Sequence, residues 1–451
     1  MDRSFTDYLK QNREVILKDF REFLKQPSVS AQGRGVRECA TLLEQLMRDA
    51  GIETEIVELP EGHPILLGRA ASRKSNRTLL FYGHYDVQPP EPHDEWASDP
   101  FGAELKDGRV IARGASDSKN NVMALMKTVE AYHKTVGEVP VNLKFLFEGE
   151  EEISSPHLPE FVQANRSRLS ADAVVCYDGG MDDSGRPGID LGLKGILYVE
   201  LRCKGAKVDL HSSRGPLAPN PAWRIMWALN TVKGPDEKIK IEGWYDRLHK
   251  PTAAELELLK SIPFDEQKQK SELGLPAFLL NRKGLDALRA YIFEPTCTVC
   301  GFMTGYVAEG PKTVLPSRAM AKLDFRLVYD QNPEELLEKL KAHLRTHGFD
   351  DIEVVKLGSL EPSKTPIEAP IARAVISAAR DVYKSEPVVY PNSPGSGPDY
   401  LFTKRLGLNS VWAGCASAFS NAHAPNEFEL VDDFFKGIEY AGKIMENFAH
   451  V

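Results

Sequence analysis

The sequence predicts an α/β fold with a mostly parallel sheet flanked by helices, interrupted by an inserted α+β domain. Short apolar segments alternate with helical segments over residues 1–194, as in successive βα units. After Gly195 the pattern changes to alternating strands of the kind found in antiparallel sheets. The first pattern returns after Pro362. We therefore predict one domain formed by residues 1–194 and 362–451, and a second formed by residues 195–361.

The composition is that of a soluble globular protein with more than one domain. The chain has 451 residues, of which 42% are hydrophobic and 27% charged, and its net charge is −9. It contains no Lys/Arg-rich block, which argues against nucleic acid or an anionic membrane as a partner. The N-terminal segment lacks the apolar core of a signal peptide, and we expect a cytoplasmic protein.

The six cysteines are scattered along the chain, which fits reduced thiols better than a disulfide framework. Cys297 and Cys300 form a single CxxC pair. Without a second pair these are more simply packing residues, although a redox role is an alternative that requires a low thiol pKa.

The first 50 residues are predicted to be helical because apolar residues such as Ile16, Phe20 and Phe23 recur at helical spacing, and Gly51 is a suitable stop. Next, Thr78–Tyr82 is an apolar run typical of a strand that is buried on both faces.

Gly83 is expected to end this strand. His84 and Asp86 would then share one face at its carboxyl end, where open α/β sheets bind their ligands. A histidine in this position is more often a loop residue than a metal ligand, so the motif alone is weak evidence.

Three further apolar segments also end in acidic residues, and each is predicted to be a strand. Val110–Gly114 precedes Asp117, Val141–Phe147 precedes Glu150–Glu152, and Ala173–Tyr177 precedes Asp178. Any single acid could be a helix cap or a solvated turn. Four strand ends in one α/β domain favour a shared edge, because parallel strands bring their carboxyl ends together.

In the inserted domain and the C-terminal part, strands are again predicted where apolar and polar residues alternate, and helices where apolar residues recur every three or four positions. The predicted elements are strands over Leu197–Cys203, Val208–Ser212, Thr313–Val328, Ile352–Lys356 and Ser410–Gly414, and helices over Trp223–Val232, Pro333–Thr346, Ile371–Tyr383 and Leu430–Phe448.

The strand-end groups and one later histidine form a set of nitrogen and oxygen donors that suits zinc, manganese or cobalt. The set is His84, Asp86, Asp117, Glu151, Glu152, Asp178 and His423. If Asp86 is the carboxylate partner of His84 and one of Glu151 and Glu152 is spare, two histidines and three carboxylates remain, which exceed one tetrahedral zinc but suit two ions that share a carboxylate. One of Glu151 and Glu152 would then be free to act as a general base.

The motifs GHYDVQP, WASDPF, RGASDSK and EGEEEISS, followed by LHSSRGP, DFRLV and NAHAPNE, occur in this order along nearly the whole chain. With them the chain resembles the M20 family of dinuclear metallopeptidases, and within it the dipeptidases of the carnosinase or cytosolic non-specific type. The resemblance implies a catalytic domain interrupted by a lid and dimerisation domain, two divalent ions with zinc favoured, and a homodimer formed through the lid.

The resemblance also implies a role for each matched residue. One ion would be held by His84, Asp117 and Asp178, and the other by Asp117, Glu152 and His423. Glu151 would be the general base and Asp86 would orient His84, which leaves Glu150 as the spare glutamate. The family places a cis peptide bond after its shared aspartate, here Asp117–Ser118.

Three further matches concern the substrate. His211 corresponds to the lid histidine that reaches the partner subunit's site and stabilises the oxyanion. Arg326 corresponds to the residue that binds the substrate's C-terminal carboxylate, and Gly395 and Ser396 belong to the glycine-rich loop that offers it backbone amides. Taken alone, each of these could be an ordinary strand or turn residue.

We predict a metal-dependent hydrolase of dipeptides or short peptides. A deacylase of N-acyl or N-carbamoyl amino acids could use the same site, and an inactive metal-binding homologue is a third alternative. The chain departs from the family at Asn120 and Ser154, where glycine is common, and both positions concern loop geometry and substrate fit rather than the ligands.

Overall fold

The structure is a computed structural model that describes residues 3–451, with twelve α-helices and seventeen β-strands in that range. The strands are β1 (Glu53–Val57), β2 (Ile65–Ala70), β3 (Thr78–His84), β4 (Glu104–Lys106), β5 (Arg109–Ile111), β6 (Asn142–Glu148), β7 (Ala173–Gly180), β8 (Gly188–Asp190), β9 (Gly195–Lys204), β10 (Leu210–His211), β11 (Thr296–Thr304), β12 (Val314–Leu315), β13 (Arg318–Leu327), β14 (Ile352–Leu360), β15 (Val388–Tyr390), β16 (Ser410–Ala416) and β17 (Phe428–Leu430). The helices are α1 (Arg3–Gln11), α2 (Arg13–Lys25), α3 (Val36–Asp49), α4 (Lys119–Thr135), α5 (Leu158–Ala164), α6 (Pro221–Val232), α7 (Ala253–Ser261), α8 (Glu266–Glu272), α9 (Gly284–Phe293), α10 (Pro333–Thr346), α11 (Pro370–Tyr383) and α12 (Val431–Phe448).

The largest sheet has eight strands in the order β1-β2-β6-β3-β7-β16-β8-β15. Its four central strands, β6, β3, β7 and β16, are all parallel, whereas β1 and β2 form an antiparallel edge. The predicted mostly parallel sheet is thus confirmed. Strand β3 runs through Gly83 to His84, beyond its predicted end, because its parallel register with β6 continues as far as Glu148.

Helices cover both faces of this sheet. Successive residues of β3 face opposite sides: Leu79 and Phe81 belong to the core that includes α1–α4, α11 and α12, whereas Leu80 and Tyr82 belong to the core that includes α5. All four side chains are fully buried. This burial on both faces explains the uninterrupted apolar run in the sequence.

A second sheet, with the order β11-β13-β9-β14, is entirely antiparallel. Alternate residues of β13, from Ala319 to Leu327, pack against α6 and α10 in a hydrophobic core that shares no residue with the cores of the main sheet. This arrangement is the predicted inserted α+β unit, although the boundaries at residues 194 and 361 stay a prediction.

Strand β5 differs from its prediction, Val110–Gly114, in both length and position, and the predicted strand Thr313–Val328 is divided into β12 and β13, which belong to different sheets. Strand β5 is three residues long and pairs antiparallel with β4 and β17 in a small separate sheet, so it is not a strand of the main sheet. The chain leaves extended geometry before Gly114, whose φ is +84°. Because β17 follows His423, this pairing brings the C-terminal segment next to the loop that contains Asp117.

None of the helices within residues 3–451 is long and apolar enough to cross a membrane.

Candidate metal and catalytic site

Three adjacent parallel strands place predicted ligands at one edge of the main sheet. His84 is the last residue of β3, Asp178 lies near the end of β7, and Glu151 and Glu152 begin a single helical turn directly after β6. Asp117 lies in the loop before α4, and His423 lies in the segment before β17. Residues far apart in the sequence therefore meet at the carboxyl ends of the strands.

The predicted ligands form two groups with Asp117 in common, and the ligand atoms of each group lie within 4.8 Å of one another. In the first group, His84 Nε2 is 3.3 Å from Asp117 Oδ1 and 3.3 Å from Asp178 Oδ1. In the second, His423 Nε2 is 2.9 Å from Asp117 Oδ2 and 3.2 Å from Glu152 Oε2. Each oxygen of Asp117 therefore faces one histidine.

Two buried atoms of this site lack a hydrogen-bond partner in the described chain: His84 Nε2 and Glu152 Oε1. An unpaired polar atom in a buried site is costly, and a bound cation would be a suitable partner for both of these atoms. The nitrogen and oxygen donors suit a divalent ion, and three carboxylates offset most of the charge of two such ions. The residues present thus fit two divalent metal ions.

The pKa shifts of the two histidines also indicate that the site favours positive charge. Burial lowers the pKa of His84, but Asp178, Asp117 and Asp86 outweigh it and raise that pKa well above its usual value. Hydrogen bonds to Asp117 and Glu152 raise the pKa of His423 to about 10. The carboxylates around both histidines therefore favour positive charge in this site.

Asp86 connects His84 to the glutamate turn. Its Oδ1 lies 3.3 Å from His84 Nδ1, and its carboxylate accepts hydrogen bonds from the backbone N–H groups of Glu151 and Glu152 at 3.2 and 3.1 Å. The side chain of Asp86 is fully buried. Asp86 therefore holds His84 Nδ1 through both its backbone oxygen, at 3.1 Å, and its carboxylate, and it also fixes the turn that contains the predicted base.

The two remaining glutamates of the turn have different environments. Burial, together with the negative charges of Asp178 and Asp117, raises the pKa of Glu151 well above its usual value, although His84 opposes this. Glu150 instead accepts a hydrogen bond from His63 N and pairs with His157 Nδ1 at 2.8 Å, and it belongs to neither ligand group.

Arg326 and the glycine-rich loop also meet in the structure. Arg326 Nη1 donates to Ser396 Oγ at 2.8 Å, although Arg326 lies on β13 of the second sheet. Gly395 N donates to Ser393 Oγ at 3.3 Å, which shapes the same loop. The guanidinium and the loop therefore lie next to each other across the two sheets.

His211 is not brought together with the ligands. It is exposed at the end of β10, and its Nδ1 lies 2.9 Å from Ser213 Oγ and accepts a hydrogen bond from Ser213 N. Within residues 3–451 it belongs to neither ligand group.

The cis peptide bond expected between Asp117 and Ser118 is present. Ser118 is the N-cap residue of α4, but its side chain forms no capping hydrogen bond in the structure. A simple capping role therefore does not account for this stretch of sequence.

The redox alternative is wrong for Cys297. This residue is buried in β11, and burial raises the pKa of its thiol to about 12, opposite to what a reactive thiolate needs. Cys300 is exposed on the same strand, and all six cysteines are free.

Reasoning from the sequence missed three residues that lie around the predicted ligands. Gln88 Nε2 donates to Glu152 Oε2 at 2.8 Å, and Arg113 and Glu427 form a buried ion pair at 2.7 Å beneath the Asp117 loop. All three lie within or beside the quoted motifs, so their position in GHYDVQP, RGASDSK and NAHAPNE was the available signal.

Comparison with known proteins gives a consistent result. Residues 80–447 match the model of peptidase family M20/M25/M40. The chain is 28% identical to human Beta-Ala-His dipeptidase over 355 residues, which cover 75% of this chain and 69% of that protein. It is 29% identical to the Cys-Gly metallodipeptidase DUG1 of Candida albicans over 398 residues, which cover 84% of this chain and 80% of that protein.

Solved structures extend the likeness to the whole chain. The M20 family metallo-carboxypeptidase Sso-CP2 from Sulfolobus solfataricus superimposes with a TM-score of 0.92 at 38% identity, with 100% of both chains covered. Human carnosine dipeptidase 1 gives a TM-score of 0.80 at 23% identity, covering 99% of each chain, and shows the shared fold.

Proposed function

Because the chain belongs to peptidase family M20/M25/M40, we propose that it hydrolyses the peptide bond of dipeptides or short peptides at a site for two divalent metal ions. The observation that best supports this is the pair of ligand groups that share Asp117, with Glu151 beside them. The relatives are named as dipeptidases and a carboxypeptidase, which all cleave peptide bonds.

His84, Asp178 and one oxygen of Asp117 would hold one ion, and His423, Glu152 and the other oxygen of Asp117 would hold the second. We favour zinc over manganese or cobalt from the mixture of imidazole and carboxylate donors. When bound, the ions supply Lewis acidity and make a water molecule more acidic.

Glu151 is the proposed general base. Its carboxylate accepts a proton from the attacking water and later donates it to the leaving amine. Asp86 holds the turn of Glu151 through the backbone and keeps the Nδ1 side of His84 facing a carboxylate, so that Nε2 faces the ligand group.

Arg326, Ser396 and Gly395 are proposed to bind the C-terminal carboxylate of the substrate. A guanidinium can bind a carboxylate with two parallel hydrogen bonds, and the contact between Arg326 and Ser396 places a hydroxyl beside it. Recognition of a free carboxylate is what a dipeptidase and a carboxypeptidase have in common.

We further propose that residues 195–361 are a lid and dimerisation domain, and that His211 stabilises the oxyanion in the site of a partner subunit. The exposed position of His211 supports this. So do the outer strand β11, where Val299 and Met303 are exposed, and helix α6, where the exposed rings of Trp223 and Trp227 stack at 5.9 Å.

We place the enzyme in the cytoplasm, a proposal supported by six free cysteines in a chain of this size. The deacylase is the second candidate because the same catalytic groups would serve it. The names of the relatives favour the dipeptidase.

The test is a panel of dipeptides and N-acetyl amino acids, assayed with the protein as isolated, after chelation, and after zinc or manganese is restored. We expect dipeptides to be cleaved, chelation to abolish cleavage, and metal to restore it. Turnover of N-acetyl amino acids alone would move the substrate class to the deacylases, and no turnover by protein with two bound ions would favour the inactive homologue.

A further inference from the structure

We propose that the buried Arg113–Glu427 ion pair positions the ligands of the second metal ion, Asp117, Glu152 and His423, and that Glu427 is a positioning residue for that ion. This inference rests on the proposed two-metal site.

Glu427 holds the loop of Asp117 with both of its carboxylate oxygens. Oε1 accepts hydrogen bonds from the backbone N–H groups of Asp117 and Ser116 at 3.0 and 2.9 Å, and lies 3.2 Å from Ser116 Oγ. Oε2 accepts from Arg113 Nη1 at 2.7 Å and from Gly114 N at 3.0 Å. The side chain is 1% exposed, so these contacts lie out of reach of bulk water.

The segment that joins His423 to Glu427 is short, and its backbone conformation is constrained. Asn421, His423 and Asn426 all have φ near +60°, a region that residues other than glycine rarely adopt unless other contacts hold them there. Asn426 supplies such contacts, because its side chain donates to Glu95 O at 2.9 Å and accepts from Ala97 N at 2.7 Å. Glu427 anchors the next position, so the segment of His423 is attached directly to the loop of Asp117.

Arg113 extends the same network toward Glu152. Its guanidinium lies 5.4 Å from the ring centroid of Trp96, and its Nη2 donates to Pro89 O at 3.4 Å. The residue before Pro89 is Gln88, which donates to the carboxylate of Glu152 at 2.8 Å. All three ligands of the second ion are therefore connected to one buried ion pair.

The first ion has an independent support. His84 and Asp178 lie on β3 and β7, which are hydrogen-bonded neighbours in the main sheet, and only Asp117 is common to both ions. Disturbing Glu427 should therefore weaken the second ion more than the first.

A carboxylate is specifically required because every partner of Glu427 can donate and four of the five can only donate. In Glu427→Gln, either orientation of the amide turns its NH₂ group toward N–H donors. Glu429→Gln is a matched control: Glu429 is equally buried two residues further along, and it accepts a hydrogen bond from Ser417 N.

In the experiment, the metal-free full-length proteins are titrated with zinc in a calorimeter. Their metal content is then measured after dialysis. We expect wild type and Glu429→Gln to bind two ions. Glu427→Gln should keep the first and bind the second about 10- to 100-fold more weakly, the range for residues that orient metal ligands.

Wild-type affinity for both ions in Glu427→Gln, or equal weakening of both ions, would overturn the proposal. Arg113→Lys provides a second variant if Glu427→Gln fails to fold, since lysine keeps the charge but not the forked contacts. A folded Arg113→Lys protein with an unchanged second site would also overturn it. Because no substrate is used, an inactive wild type that binds two ions would refute the proposed function and leave this inference standing.

Discussion

The carboxyl edge of the main sheet and the adjoining part of the second sheet contribute to the proposed site in different ways. At the edge of the main sheet, the ligand atoms of each group lie within 4.8 Å of one another, and buried partners such as Asp86 hold the surrounding chain. Arg326 of the second sheet donates a hydrogen bond to Ser396 of the glycine-rich loop, and His211, on the separate two-stranded sheet of β10 and β12, is exposed. A single chain thus brings the proposed metal ligands together, but within residues 3–451 it does not bring His211 into either ligand group.

The largest effect should come from the residue that both ligand groups share. Asp117→Asn removes the charge that faces both histidines, so both ions should bind more weakly and turnover of a dipeptide should fall by about 10⁴-fold or more. Metal content and turnover are measured together. Asp107→Asn, in an exposed turn, is the control, and an Asp117→Asn protein that keeps two ions and wild-type turnover would refute the shared site.

The second prediction asks whether His211, on the two-stranded sheet of β10 and β12, acts across a dimer. His211→Asn should lower kcat by about 10²- to 10³-fold with unchanged metal content, because an oxyanion donor is lost.

Mixing His211→Asn with Glu151→Gln protein under conditions of subunit exchange should then restore about a quarter of the wild-type activity, since half of the dimers would have one intact site out of two. If mixing restores nothing while exchange is demonstrated, His211 does not act on a partner subunit.

The third prediction concerns Arg326, which contacts Ser396 of the glycine-rich loop. Arg326→Lys should raise KM for dipeptides by about 10- to 100-fold, because lysine cannot form the paired hydrogen bonds of a guanidinium. Wild type should cleave substrates with an amidated C-terminus slowly, and the variant should cleave them only slightly more slowly than wild type does. An equal loss for both kinds of substrate would mean that Arg326 does not recognise the carboxylate.

The smallest effect is expected at the CxxC pair. Cys300→Ser changes an exposed thiol on β11, and turnover should stay within about twofold of wild type, as for most surface substitutions. A chelator should inhibit the Cys300→Ser protein as strongly as it inhibits wild type. Loss of activity in this variant with both ions retained would revive a catalytic role for the thiol.

The difference between the two regions also explains which site residues could be predicted from the sequence. His84, Glu151, Glu152 and Asp178 could be placed because each follows an apolar run, and the ends of parallel strands must meet. The strand before Asp117 was assigned to the wrong sheet, because three residues are too few to reveal their partners.

Tertiary contacts account for the residues that were missed. Glu427 resembles any solvated acid in a loop until the fold surrounds it with donors from residues more than 300 positions away. The partner of His211 cannot be read from a pattern within one chain, since its proposed contact lies on another subunit. The family resemblance indicated residues of both regions, whereas the strand pattern by itself predicted only the groups at the ends of the parallel strands.

The most direct test of the account is to compare wild type and Glu151→Gln in metal content and dipeptide turnover. We predict two bound ions in each protein and a decrease in turnover of about 10²- to 10⁴-fold in the variant, because the base is lost and the ligands are kept. Chelation should abolish the wild-type activity and zinc should restore it. Wild-type turnover in Glu151→Gln, or hydrolysis that survives complete removal of metal, would contradict the proposed mechanism.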